Sequence, residues 1–319
     1  MCTAFSLETK QGFVSARTME SPTPGSYEHF VTLSLPRGFC VSNAQNMAIK
    51  NKYAMVGSSH YGLYALCDGV NETGLSGSVN LFPHLACYPQ TPQKELSFAP
   101  QDLLPYLLGN AKDCKEAKAI AENVEMVAIA FEDTGKVLPL HIALFDSKGG
   151  FLVIEPTATG LQIYESPIRV MTNAPDFPWH IKNLANYAHL KTNNQKDSIF
   201  KDIFPFGQGS GSMGLPGDFT PASRFVRASF FLSASPVFES SEEGIRQALR
   251  ILHQFDIPFG SVSEKIGEEE ALEITQYSAM MDNVARKYYL NYYREFDVIC
   301  FDLEDFLELE EPKILKTMS

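Results

Sequence analysis

Residue 2 can carry two reactive groups at once. Removal of Met1 is chemically routine before a small second residue, and it leaves Cys2 with both a thiol and a free α-amine. An α-amine has a reference pKa of about 7.7 to 8.0, far below that of a lysine, so near neutral pH it can take a proton from its own thiol, directly or through water. One residue is then both nucleophile and base. Acyl transfer by such a residue also needs a cation to favour the thiolate, a carboxylate to orient the amine, and donors for the developing oxyanion. Arg17 and Glu20, in Ala16-Arg17-Thr18-Met19-Glu20, fit the first two roles if their segment folds back beside Cys2. The competing reading is a cysteine that merely follows the start codon, with Arg17 and Glu20 as a surface ion pair.

The elements that must position these groups are legible in the pattern. Ala4, Phe5 and Leu7, then Phe13, Val14 and Ala16 after a turn at Lys10 to Gly12, predict an N-terminal hairpin with Cys2 at the start of its first strand. Further strands are expected at 30–35, 53–56, 64–67 and 74–79, and two short helices between Gln101 and Asn123. The pattern returns to strand at 137–145, 151–154 and 161–172, with Asp146 to Gly150 as a hairpin turn. Helices are predicted at 179–187, 223–232 and 240–255; in the last, Ser240 and Glu243 have capping-box spacing ahead of an Ile245, Ala248, Leu249, Leu252 stripe. Strands at 271–281, 287–293 and 297–301 close the chain. Blocks in the order β, α, β, α, β suit an α+β layered fold, and with neither repeat nor linker they are read as one domain over 1–319.

Composition removes several classes of function. The 319 residues carry 26 Lys+Arg against 38 Asp+Glu, a formal charge of −12, which disfavours binding to phosphate backbones or anionic membranes. No apolar run approaches the length of a membrane helix, and no secretory signal is readable, so a cytoplasmic enzyme is expected. Six scattered cysteines without CxxC read as free thiols, most of them small buried hydrophobes. Gly209-Ser-Gly211-Ser-Met-Gly214 matches GxGxxG, but the flanking prolines do not allow the strand and helix of a dinucleotide cradle. GxSxG and HExxH are absent, and neither a metal nor a cofactor is expected. Asn71-Glu-Thr73 is a formal glycosylation sequon without a secretory context.

Five blocks stand in order along the chain: Met1-Cys2-Thr3, Ala16 to Glu20, Asp68-Gly-Val-Asn71-Glu-Thr-Gly74-Leu75, Val170-Met171-Thr172-Asn173-Ala-Pro175, and Gly214 to Arg227 with Ser223-Arg224-Phe-Val-Arg227. Together they resemble the choloylglycine hydrolase family, which comprises penicillin V acylases and conjugated bile salt hydrolases. The resemblance implies a four-layer αββα N-terminal nucleophile hydrolase fold, two stacked antiparallel sheets between helical layers, cutting a linear amide. It also implies a homotetramer. Position by position, it makes Cys2 the nucleophile, its α-amine the base, Arg17 the arginine beside the thiol, Asn173 the oxyanion-hole amide and Arg224 a second active-site arginine.

Two positions depart from the family pattern. Glu20 stands where the family usually has Asp, which moves the carboxylate one methylene outward. The family's other oxyanion residue falls on Leu81, with Asn80 beside it; that role uses a backbone N–H, which any residue but proline supplies. Met19 is a candidate for the substrate pocket, with a core methionine as the alternative. Ala16-Arg-Thr-Met, Phe206-Gly-Gln-Gly and Gly217-Asp-Phe-Thr-Pro lean towards the penicillin V acylases, which predicts a small-molecule amide with an aromatic or lipophilic acyl group. Conjugated bile salts are the alternative; an acyl-homoserine lactone or a non-catalytic binding role is further off.

Overall fold

The computed structural model describes residues 1–23, 30–60, 64–132, 134–195, 200–203, 207–266 and 269–317. In chain order the strands begin with β1 (Cys2–Thr9), β2 (Gly12–Thr23), β3 (Phe30–Leu35), β4 (Cys40–Ser42), β5 (Ala48–Lys50), β6 (Met55–His60), β7 (Leu66–Asn71), β8 (Ser76–Leu81) and β9 (Ser97–Phe98). Helices α1 (Leu103–Asn110) and α2 (Cys114–Ala121) follow, then β10 (Glu125–Met126), β11 (Leu140–Phe145), β12 (Phe151–Thr157), β13 (Gly160–Glu165) and β14 (Val170–Met171). Helices α3 (Phe177–Asn183), α4 (Pro221–Ala234) and α5 (Ser241–Leu252) precede β15 (Ser263–Ile266), β16 (Glu269–Asp282), β17 (Lys287–Tyr292), β18 (Val298–Asp302) and β19 (Lys313–Thr317).

Most expected elements form near their predicted bounds, and the differences have local causes. The single strand expected at 161–172 is two, β13 and β14, because Pro167 lies between them and cannot donate to a ladder. The edge strand β19 was not expected; its Lys-Ile-Leu-Lys-Thr is largely exposed and lacks an apolar stripe. Helix α5 carries the predicted capping box, with Ser240 Oγ accepting from Glu243 N–H and the Glu243 carboxylate accepting from Ser240 N–H.

The strands assemble into two large antiparallel sheets. The first runs β14-β1-β2-β16-β17-β18, with β15 added to β16; the second runs β13-β12-β11-β8-β7-β6-β3-β19. Helices α1 and α2 cover the outer face of the second sheet through Leu103, Leu104, Leu107, Leu108 and Ala117. Helices α4 and α5 cover the outer face of the first, where Phe225, Ala228, Ile245 and Ala248 meet Phe5, Leu7, Val14 and Ala16. Between the sheets, Cys2, Met19, Tyr277 and Tyr288 pack with Val56 and Val70. The result is the expected αββα layering.

Not all thiols are buried as expected. Cys2 and Cys114 are, but Cys67 is half-buried and Cys40, Cys87 and Cys300 are exposed, all free. Cys40 begins a short edge ribbon, which explains its exposure.

One turn locks the two sheets together. Gly74, between β7 and β8, has φ +85°, and a Cβ there would lie 2.1 Å from the Asn283 carbonyl oxygen in the β16–β17 turn. Asn283 Nδ2 donates to Gly74 O and Ser76 Oγ, both at 2.8 Å, while Asn283 Oδ1 accepts from Ser15 Oγ. Gly74→Ala should therefore lower unfolding free energy by about 2–4 kcal/mol, combining left-handed backbone strain with displacement of Asn283. Urea denaturation measures this, and a cost below that of an ordinary surface substitution would contradict the lock.

Candidate active site

The β1–β2 hairpin sets the site by register. Cys2 lies opposite Met19, Thr3 opposite Thr18, and Ala4 opposite Arg17. Because side chains alternate, Arg17 and Met19 share the inner face of the first sheet with Cys2, whereas Thr18 and Glu20 face the helical layer. The thiol thus faces the space between the sheets, while the Cys2 backbone nitrogen, a peptide N–H to Met1 here, is met by Asn173 just beyond the end of β14.

On the inner side, Arg17 is fully buried and held by the second sheet. Its Nη1 donates to Asp68 Oδ2 at 2.9 Å and to Tyr277 Oη at 3.3 Å; its Nη2 donates to Val79 O at 3.1 Å and Asn80 Oδ1 at 3.4 Å. Asp68 also accepts from Tyr277 Oη at 2.6 Å and from Tyr288 Oη. Burial pulls the guanidinium pKa down, but Cys2, Tyr277 and Asp68 outweigh it and leave Arg17 firmly charged. Met19, buried opposite Cys2, belongs to the inter-sheet core.

On the amine side, Cys2 N donates to Asn173 Oδ1 at 2.8 Å. Arg224, from the second turn of α4, donates through Nη2 to the same oxygen at 2.7 Å, and through Nη1 to Thr3 Oγ1 at 2.8 Å and to Cys2 O. Helix α4 is placed by Thr220, whose side chain caps it, and by Pro221 at its first turn. Asn173 is fixed in turn by His180, whose Nε2 donates to Asn173 O at 2.9 Å and whose ring stacks on Phe225. Burial pushes the His180 pKa down to about 4, so it is neutral at physiological pH.

Two acidic groups lie near the N-terminus, Glu20, which the sequence singled out, and Glu273, which it did not. Glu20 is buried, with Oε1 accepting from Thr275 Oγ1 at 3.2 Å and Oε2 left without a hydrogen-bond partner. Burial raises its pKa, opposed by the N-terminal ammonium and Arg224. The carboxylate in direct contact with the chain's ammonium, here that of Met1, is Glu273, at 2.7 Å.

The edge of β8 completes the site. Phe82 N donates to Pro139 O, so strand alternation turns the Leu81 peptide away from β11, and there Leu81 O accepts from Asn173 Nδ2 at 2.7 Å. The Leu81 N–H points to the same side as its carbonyl. Asn80 faces the other way, its Nδ2 donating to Thr172 O at 2.7 Å, so its side chain joins Arg17 to the β14 end.

Sequence reasoning brought together Cys2, Arg17, Glu20, Asn173, Arg224, Leu81, Asn80 and Met19, and all lie around the end of β1. It missed Tyr277, Tyr288, Glu273 and His180, and treated Asp68 only as part of a block. The one usable signal was general: an arginine on the inner face of a strand needs a carboxylate facing it. Two motifs resolve differently. Gly209, in the left-handed region, opens a short 3-10 turn at Ser210–Ser212, and α4 starts only at Pro221. Asn71 is buried with Nδ2 donating to Leu108 O and Ala111 O, which excludes it as a glycan acceptor in the folded chain. Phe206 of the glycine-loop block lies outside the described residues.

Residues 2–315 match the profile of linear amide C–N hydrolases, choloylglycine hydrolase family. The chain belongs to that family. Its activity class is hydrolysis of carbon–nitrogen bonds in linear amides. It is 31% identical over 332 residues to a bile salt hydrolase/transferase of Clostridium perfringens, spanning 100% of this chain and 98% of that protein. A solved structure of a conjugated bile acid hydrolase variant from the same organism superposes with a TM-score of 0.88 at 29% identity, covering 100% of this chain and 98% of the other. A penicillin V acylase of Pectobacterium atrosepticum is 25% identical over 260 residues, 75% of this chain and 63% of that protein.

The family geometry here depends on a buried charge. Asp68→Asn keeps the shape but leaves the Arg17 guanidinium without its anion, and should cost about 3–5 kcal/mol of unfolding free energy in a urea titration. A change within 1 kcal/mol, roughly that of a surface pair, would contradict the assignment of Asp68 as its partner.

Proposed function

We propose that this chain, once Met1 is removed, hydrolyses glycine or taurine conjugates of bile acids, with Cys2 as nucleophile and its own α-amine as base. The amine takes the thiol proton, and the thiolate attacks the amide carbonyl carbon. The tetrahedral oxyanion is held by the Leu81 backbone N–H and by the second N–H of Asn173 Nδ2, since an amide nitrogen has two donors and only one is spent on Leu81 O. The protonated amine then passes its proton to the departing nitrogen as the C–N bond breaks, leaving a Cys2 thioester. Water, deprotonated by the same amine, attacks the thioester carbon; the C–S bond then breaks, the carboxylic acid leaves, and the Cys2 sulfur recovers its proton from the amine. Arg17 favours the thiolate through its charge, Arg224 and Asn173 fix the Cys2 backbone, and Met19 forms the floor beside the thiol.

The observation that carries the substrate reading is the whole-length similarity to the bile salt hydrolase/transferase, against a shorter and weaker match to the penicillin V acylase. The blocks that lean towards penicillin V acylases divide: Arg17 and Met19 share the thiol face of the first sheet, whereas Thr18, Asp218 and Thr220 do not. Thr18 points to the helical layer and accepts from Thr3 N, and Asp218 and Thr220 organise the start of α4. Thr18, Asp218 and Thr220 therefore report on scaffold rather than on the acyl pocket.

Glycocholate should be turned over with kcat/KM higher than penicillin V by about tenfold or more, a margin within reach of pocket discrimination. A preference for penicillin V would reverse the substrate reading while leaving the chemistry, and a panel including acyl-homoserine lactones covers the remaining lipophilic amides. Cys2→Ala should abolish turnover of every substrate without unfolding the protein. Asn173→Ala should lower kcat by about 10² to 10³ with a smaller change in KM, the loss expected for one oxyanion donor; a raised KM at normal kcat would make Asn173 a binding group instead.

A further inference from the structure

Two carboxylates, not one, converge on the amine end of β1. Glu273 lies two residues from Thr275 on β16, so both project from the same face, and Thr275 is the cross-strand partner of Glu20. That face is covered by α5, and Arg224 of α4 lies close enough to Glu273 and Glu20 to interact with both electrostatically. Glu273 is 8% exposed and meets the Met1 ammonium at 2.7 Å. Glu20 bonds Thr275 through Oε1, while its buried Oε2 has no hydrogen-bond partner and so remains able to accept.

We propose that Glu273 is a second positioning carboxylate of the catalytic amine: it holds the ammonium of Met1 while that residue is present, and with Glu20 it holds the amine of Cys2 once Met1 has gone. The inference rests on the amide-hydrolase reading above. The Cys2 and Met1 backbone nitrogens are one residue apart, and adjacent Cα atoms are only about 3.8 Å apart, a displacement that the three torsions of a glutamate can follow. The groups facing this amine are Glu20 from β2, Glu273 from β16, the Cys2 thiol on β1 and Arg224 from α4. For the Met1 ammonium burial acts downward, but Cys2, Glu20 and Glu273 together leave its pKa raised against the opposition of Arg224. The division of labour also answers the Glu20 departure, because an anion from a second strand shares the work of one longer side chain.

The sign of the effect is fixed. The base is the free amine, so kcat/KM rises with pH as the amine loses its proton, and a neighbouring carboxylate moves that acid limb to higher pH. In protein whose intact mass shows that Met1 has been removed, Glu273→Gln should shift the acid limb down by about one pH unit, the size expected for losing one close counter-charge. Glu273→Asp keeps the charge one methylene back and should shift it in the same direction by less; it also serves if the glutamine variant does not fold. Competitive labelling of the Cys2 α-amine with acetic anhydride, followed by mass, reads the same titration without turnover. An amine titration at the wild-type position in whichever variant folds overturns the proposal, whatever its effect on stability. A wild type that turns over no amide, yet shows the labelling shift, would remove the amide-hydrolase reading and leave Glu273 at the amine.

Discussion

The buried guanidinium of Arg17 is the constraint on which the rest of this structure depends. A charge taken out of water costs several kcal/mol unless paired and hydrogen-bonded, so its surroundings cannot be only apolar. Asp68 on β7, the Val79 carbonyl on β8 and Tyr277 on β16 supply the partners, and Tyr288 on β17 completes the shell of Asp68. Each comes from a different strand, so the two sheets can stack in only one register without leaving a charge unmatched. Packing of Val56, Val70, Ala279 and Leu290 around the cluster adds the area term, but such side chains would tolerate sliding that the ion pair does not.

Arg224 performs the equivalent task from the opposite side. It reaches from the helical layer to the Cys2 carbonyl, to Thr3 and to Asn173. Strand alternation keeps the two arginines apart: Arg17 lies on the thiol side of β1 and Arg224 on the amine side. Residue 2 is therefore clamped through its backbone, while its side chain and its backbone nitrogen meet different electrostatic surroundings.

The same separation explains why membership of the family is easier to recognise than the substrate. The blocks Asp68 to Leu75, Val170 to Pro175 and Gly214 to Arg227 maintain buried charge pairs, a sheet-to-sheet turn and a capped helix. In this chain these needs do not depend on which acyl group is bound. Thr18, Asp218 and Thr220 satisfy local backbone donors and do not meet the reacting atoms, so their likeness to one subfamily carries no information about the acyl pocket.

Much was determined by the sequence alone: a strand opening at Cys2, a hairpin that returns Arg17 and Glu20 beside it, the capped helix α5, and the order of α and β blocks. These follow from period-two alternation, turn residues and capping chemistry, which act over a few residues. What tertiary structure decided is which distant groups meet. Asp68 pairs with Arg17 across 51 positions, Arg224 reaches Cys2 across 222, and Glu273 takes the Met1 ammonium across 272. No local pattern marks Glu273 or Tyr288, because each sits in a strand where its neighbours would look the same whatever it touched. Their partners follow from sheet order and from the demand that every buried charge be matched, a condition that acts on the whole fold and not on any one segment.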